Sequence, residues 1–287
     1  MEVEESIEVW GRVAGEEAAS PDIGVIPLSR ESLAIRILLL VLSLLTVYTF
    51  VTIDYQGIDI VKATADTFSN FKIVFLQPNA HRLSLADAFY EVLTTSGLAF
   101  LTTLFGGVIA LPLGLLSARN LAPKAVGNCI KSFVAFIRAV PTILWVLIFA
   151  VAAGLGSAAA VIGMTFHSVS YLTKAYSESF EDLDKGVIEA LKAGGADWWQ
   201  IVFQAVIPSS MTALLSWTFV RFEINFANAV AMGAAAGAAG VGFDLYMASG
   251  YYFDLREVGL ITYIILAFAM ALETISTRTK GKIKKKH

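Results

Sequence analysis

The chain has 287 residues, of which 56% are hydrophobic and 16% charged, with a net charge of −3. An ordinary soluble domain does not have that balance. Its apolar residues gather into runs long enough to cross about 30 Å of hydrocarbon as helices. An all-α polytopic membrane protein is predicted. Cys129 is the lone cysteine and His81, His167 and His287 are scattered, so no disulfide framework and no metal site is expected. The net charge says little about partners, because the local placement of Lys and Arg sets orientation.

Residues 1–30 are polar and acidic, carrying Glu2, Glu4, Glu5, Glu8, Glu16, Glu17 and Asp22. The first apolar run ends in Val51-Thr52-Ile53-Asp54 rather than at a small-residue cleavage site, so it is expected to stay as an anchor. Six spans are predicted, near 33–53, 95–116, 130–153, 156–172, 208–232 and 258–275. The polar connection after the first span holds Asp54, Asp59, Asp66, Pro78 and His81, and is long enough to carry a short helix of its own. The tightest turn is Gly154-Leu155-Gly156.

Arg119, Lys124, Lys131 and Arg138 flank the second connection with no acid among them, and Arg278, Lys280, Lys282, Lys284, Lys285 and Lys286 crowd the end. The positive-inside rule assigns both regions to the cytoplasm, together with the N-terminus. Residues 31–277 then form the membrane domain, between an N-terminal tail of residues 1–30 and a basic C-terminal tail of residues 278–287. The connections at 54–94 and 233–256 face outward.

The same count puts Glu189–Pro208, EALKAGGADWWQIVFQAVIP, in the cytoplasm. A helix-forming run leads in from Lys174. The Gly194-Gly195 pair breaks it, since glycine takes up the left-handed conformation that ends helices. Asp197 stands where an N-cap starts a second helix, and Pro208 marks the beginning of the next span. No G-x-x-x-x-G-K-[ST] phosphate loop occurs in the chain, so any nucleotide hydrolysis is expected on another one.

In this register, the helix-turn-helix resembles the EAA loop of binding-protein-dependent ABC importer permeases. Glu189 and Ala190 match the pattern, with Leu191 in place of the second alanine. Gly195 and Pro208 fall at the expected spacing, Ile207 stands in the leucine position, and Ala205 departs from the expected isoleucine. The choice narrows with Ala110-Leu111-Pro112-Leu113, Ala118-Arg119-Asn120, Arg138-Ala139-Val140-Pro141, Trp145 and Arg221-Phe222-Glu223-Ile224-Asn225. These resemble the phosphonate-type permeases over about residues 60–278. Phe226-Ala227 replaces the family's Ile-Arg, and its glycine-rich run is diluted here to Gly233, Gly237, Gly240 and Gly242.

The resemblance implies a type I importer permease of six transmembrane helices, carrying phosphonate or a related phosphorus oxyanion such as phosphite or phosphate. It implies two copies, a homodimer rather than a heterodimer, on a pair of cytoplasmic ATPase subunits, with a substrate-binding protein outside. ATP and Mg belong to the ATPase, and the chain itself binds no cofactor, contacts no nucleic acid and has no catalytic residue. Coupling to the ATPase falls to a cytoplasmic loop of about residues 175–207, with Glu189, Ala190, Gly194, Gly195 and Pro208. A bland alternative rests this loop on the headgroups, with Trp198 and Trp199 as anchors.

Arg221 lies thirteen residues past Pro208, roughly 20 Å along a helix. At that depth ionisable groups face a bundle interior or a wet cavity. Arg221 shares a face with Asn225, and Glu223 points elsewhere. Two roles are open: a way-station for an oxyanion, or a structural ion pair with Glu223 of another helix or subunit. Arg138 and Pro141 mark a gating hinge or a static kink in the third span. Gly237 and Gly240 mark a re-entrant gate or close helix packing. His167 and Glu273 are read as structural. Two rival classes fit less well. An ion-coupled secondary transporter calls for several deep acids, where only Glu223 qualifies, and a membrane enzyme calls for clustered His, Asp or Cys.

Overall fold

The computed structural model describes residues 30–53 and 57–284. The acidic tail before Arg30, Asp54, and the basic residues Lys285 and Lys286 lie outside the described residues. Among the described residues every regular element is helical, and the chain divides into residues 1–60 and 61–287.

In the first unit, α1 (Arg30–Thr52) has no buried residue. Ser43, Thr46, Thr49 and Thr52 each donate to the carbonyl four residues back, at 2.8 to 2.9 Å. A hydroxyl satisfied within its own helix can sit in hydrocarbon at little cost.

The second unit begins with α2 (Ile60–Leu76), the short helix allowed for in the first long connection, and α3 (Leu85–Ser117). It continues with α4 (Lys124–Ala139), α5 (Thr142–Ala153), α6 (Ser157–Glu181), α7 (Lys185–Ala193) and α8 (Trp198–Ile201). A π-helical turn, Val202–Val206, joins α8 to α9 (Ile207–Ala236). Then come α10 (Val241–Tyr246), a second π-helical turn at Met247–Tyr251, and α11 (Leu255–Lys284).

Four described segments are long and apolar enough to span a membrane: α1, α3, the α8–α9 stretch, and Leu255–Thr279 of α11. The bent pair α4–α5 makes a fifth. Helix α6 occupies the position of the expected fourth span, and its 25 residues reach about 37 Å. It runs through the middle of the unit, packed on α3, α4, α5 and α9. Small residues let these backbones close up, which matters where lipid offers no hydrophobic drive between helices. A Cβ on Gly163 of α6 would lie 2.5 Å from Val146 Cα of α5, and one on Gly106 of α3 would lie 2.7 Å from Ser168 Cβ of α6.

Three expected boundaries differ. The third span is not one helix but two, meeting at 86°. Pro141 has no N–H to give the carbonyl four residues back, that of Ile137. Trp145 supplies the missing donor from α5, its indole Nε1 reaching Ile137 O at 3.1 Å. The Trp145 ring is held by stacking on Phe166 at 5.3 Å. At Pro208, by contrast, no break occurs. The π turn rephases the hydrogen bonds, Ile207 N–H bonding Val202 O five residues back, and the helix from Trp198 runs on through the proline. The basic stretch after Arg278 also continues α11 as far as Lys284.

Candidate functional site

Three places in the second unit bring the singled-out residues into definite surroundings. The first is the α7 hairpin. Asp184 caps α7 by accepting from Gly186 N–H at 2.8 Å. The helix ends in a Schellman motif, with Ala196 N–H to Leu191 O and Gly195 N–H to Lys192 O, both 3.0 Å. Gly195 holds the left-handed φ of +83° that this motif demands, whereas Gly194 stays at −76°. Asp197 and Gln200 then form a reciprocal capping box that starts α8. Ile188, 4% exposed, anchors α7 in a core with Leu115, Phe180 and Val202, worth about 2 kcal/mol for the buried side chain. Trp198 is half-buried and donates to Leu121 O at 3.0 Å, while Trp199 is exposed and stacks on Phe203. Glu189, Ala190, Gly194 and Gly195 are exposed. The result is a short, capped, rigidly seated knob with a thin outer face.

The second place is the interior of the bundle. Arg221 of α9 is 1% exposed. Its Nε donates to Ser168 Oγ at 3.0 Å, a terminal nitrogen lies 3.3 Å from His167 Nδ1, and the guanidinium sits 5.2 Å from the Tyr171 ring centre. One turn on, Asn225 donates to Thr103 Oγ1 of α3 at 2.9 Å and also bonds Ser168. Arg221 and Asn225 thus share one partner and tie α3, α6 and α9 together. Glu223 is half-buried on another face. Thr103, Ser168 and Tyr171 were not legible in the sequence as site residues. The Thr103 and Ser168 hydroxyls also bond the carbonyls four residues back, those of Ala99 and Met164, which makes such residues look bland in a helix.

The third place is the end of α9. The chain turns at Gly237, in the left-handed region at +62°, and at Gly240 at +116°, then folds back as α10. A Cβ on Gly242 would lie 1.9 Å from Val230 O, and one on Gly240 would lie 2.3 Å from Thr95 Oγ1. Val241 N–H bonds that same Thr95 hydroxyl at 3.0 Å. The glycines therefore serve both a chain reversal and a close packing of α10 on α9 and α3. Arg138 and Pro141 fall at the α4–α5 bend, where Arg138 is exposed and lines a cavity between α4 and α6.

At the opposite end of the unit from α7, residues 77–84 are clasped to the start of α11. His81 Nδ1 meets Asp254 Oδ2 at 2.5 Å, and the imidazole holds the Asp254 carboxyl below its ordinary value. Glu257, 2% exposed, accepts the N–H groups of Arg82 and Leu83. Asn79 N–H reaches Arg256 O, and Arg82 stacks over Tyr252.

The second unit is thus a helical bundle with an exposed, capped knob at one end and a buried polar knot within. The chain belongs to the family described as binding-protein-dependent transport system inner membrane component, whose model matches residues 110–279. It is 31% identical over 207 residues to the phosphate-import permease protein PhnE of Mycolicibacterium smegmatis, covering 72% of this chain and 38% of that protein. It is 30% identical over 186 residues to the phosphite transport system permease protein PtxC of Stutzerimonas stutzeri, covering 64% and 67%. The chain thus spans well under half of the mycobacterial relative and about two thirds of the other. The fold is that of a chain of the MetNI methionine ABC transporter solved in inward-facing conformations. The TM-score is 0.62 at 21% identity, over 67% of this chain and 94% of that one.

Proposed function

We propose that the chain is the permease subunit of an ATP-driven importer, translocating phosphonate or a related phosphorus oxyanion across the cell membrane. The α7 hairpin carries the reading. Its Schellman and capping-box closures make it stiff, its Ile188 side is seated in the core, and its Glu189–Ala190 side is open to a partner. Such an element transmits a push from an ATPase pair better than a loop can. In this reading α7 and both termini are cytoplasmic, the His81–Asp254 end receives a substrate-binding protein, and two copies of the chain enclose the path. ATP and Mg remain on the ATPase.

The cargo class is supported by the names of the relatives, which include phosphate and phosphite permeases, and by guanidinium chemistry at hand in Arg138 and Arg221. Other similar proteins are methionine permeases, such as the methionine import system permease protein MetP of Bacillus subtilis, so another small solute is the alternative. The test is uptake into proteoliposomes holding the chain with its ATPase and binding protein. ATP-dependent accumulation of phosphite, phosphate or methylphosphonate, and not of methionine, is expected. Uptake driven by an ion gradient without the ATPase overturns the importer reading, and methionine uptake overturns the cargo.

A further inference from the structure

Between α4 and α6, at the end of the unit that carries α7, lies a cavity of about 320 Å³. Its walls hold Arg119, Lys131, Arg138 and Lys174 against two carboxylates, Glu178 and Glu181. Those carboxylates are already engaged. Glu181 takes Lys131 at 2.8 Å and the Arg119 N–H at 2.9 Å, and Glu178 lies 3.5 Å from Lys174. Among the described residues neither the Arg119 nor the Arg138 guanidinium forms a direct ion pair with a carboxylate, although Arg119 lies near enough to Glu181 to feel its charge. A smaller cavity adjoins it, sharing Arg138, Lys174 and Glu178 and walled at its far side by Tyr171, whose ring carries Arg221 behind it. Positive charge is therefore stepped from the buried Arg221 out to Arg119. The cavity at the other end of the unit has no such excess, with Arg82 set against Asp244 and Glu257.

We propose that this cationic cavity is a holding site for a phosphorus oxyanion, with Arg138 and Lys174 as its principal contacts. The proposal rests on the reading above for direction only: in that reading the cavity is the inner vestibule where cargo waits before release. Two features suit a site that must let go. Its cations are partly hydrated on an open wall, and Glu178 stands beside Lys174 as a competing anion. A transport path works when binding is favourable enough to enter and weak enough to leave. The shared chemistry is also that of an anionic lipid headgroup, so the test separates the two sources.

Ala135, exposed on the cavity wall, is the reporter position. In a Cys129→Ser background, Ala135→Cys in the full chain is placed in phosphatidylcholine nanodiscs. It is labelled with an anionic and with a cationic methanethiosulfonate reagent. A cleft of one sign raises the arrival rate of an opposite charge by about tenfold or more. The anionic reagent is expected to gain about that factor over the cationic one, the gain vanishing when Arg138→Gln and Lys174→Gln are added. Phosphite or phosphate at millimolar level is expected to slow the anionic reagent in these uncharged discs. Equal labelling by the two reagents overturns the proposal. So does protection that appears only in phosphatidylglycerol discs, which makes the cavity a lipid anchor. Anion protection without ATP-driven uptake leaves the site standing and removes the importer reading instead.

Discussion

Asn225 is the residue on which three helices converge. It is fully buried and gives its amide to Thr103 of α3 and to Ser168 of α6, while Ser168 also receives Arg221. Hydrogen bonds between helices in lipid are worth about 1 kcal/mol each, and stranding a buried partner adds to the loss. Asn225→Leu is therefore expected to destabilise the protein by about 2 kcal/mol. Thr103→Val should cost less, because it removes only one acceptor. Unfolding in mixed detergent micelles measures both. If Asn225→Leu unfolds like the wild type, the polar knot is not what holds α3, α6 and α9 in register. Arg221→Lys should not rescue the geometry, since an ammonium lacks the planar fork that meets Ser168 and His167 together.

Among the elements, the α4–α5 bend and the α7 hairpin make separate predictions. The bend is capped by Trp145, which provides the donor that Pro141 lacks. Trp145→Phe keeps an aromatic ring near Phe166 but leaves Ile137 O with only the long 3.4 Å bond from Val140 N–H, and is expected to cost about 1 kcal/mol. Pro141→Ala returns a backbone donor to the same carbonyl. It should let α4 and α5 approach a single straight helix, seen as a lengthened distance between spin labels placed on either side. An unchanged distance means that packing of α5 on α6 sets the angle and the proline only tolerates it. In the α7 hairpin, Glu189→Lys is expected to lower ATP-driven uptake at least tenfold while insertion and expression stay normal, because the exposed contact lies outside the folded core, and Gly195→Asp is expected to lower it by straining the left-handed turn that closes the hairpin. Normal uptake by both variants removes α7 from the coupling role.

At the level of the whole second unit, the two ends differ in chemistry. One end carries α7 and a cation-rich cavity, and the other is closed by carboxylates, with Glu257 capping the backbone before α3 and Asp254 gripping His81. Asp254 is held below its ordinary value chiefly by its hydrogen bond to His81. A lowered carboxyl contributes stability that is present above the unfolded value, about pH 4, and is lost as pH falls through the folded one. The clasp of residues 77–84 onto α11 is thus expected to persist through mildly acid pH and to open only below the usual aspartate range. Hydrogen exchange of residues 79–84 against pH reads this directly, and Asp254→Asn should abolish the transition. A transition at neutral pH would contradict the carboxyl assignment.

Much was fixed by local chemistry and so was legible before any packing was known. Apolar run length dictates helices, Asp197 dictates a helix start, and the Gly194-Gly195 pair dictates a stop, since each acts within a few residues of its own position. The spacing of Arg221 and Asn225 was likewise enough to put them on one face. What the tertiary structure alone decided is what those faces meet. Ser168 and Thr103 satisfy themselves within their own helices, so nothing local reveals that Asn225 gathers them. Pro141 announces a lost hydrogen bond but not its replacement, because the donor sits on the far side of the bend and reaches Ile137 only once the chain has turned through 86°. The pairing of His81 with Asp254 joins residues 173 apart, and the cationic cavity draws on α3, α4 and α6 together. Charge and hydrogen bonding across helices depend on distance in space, and only the packed bundle sets it.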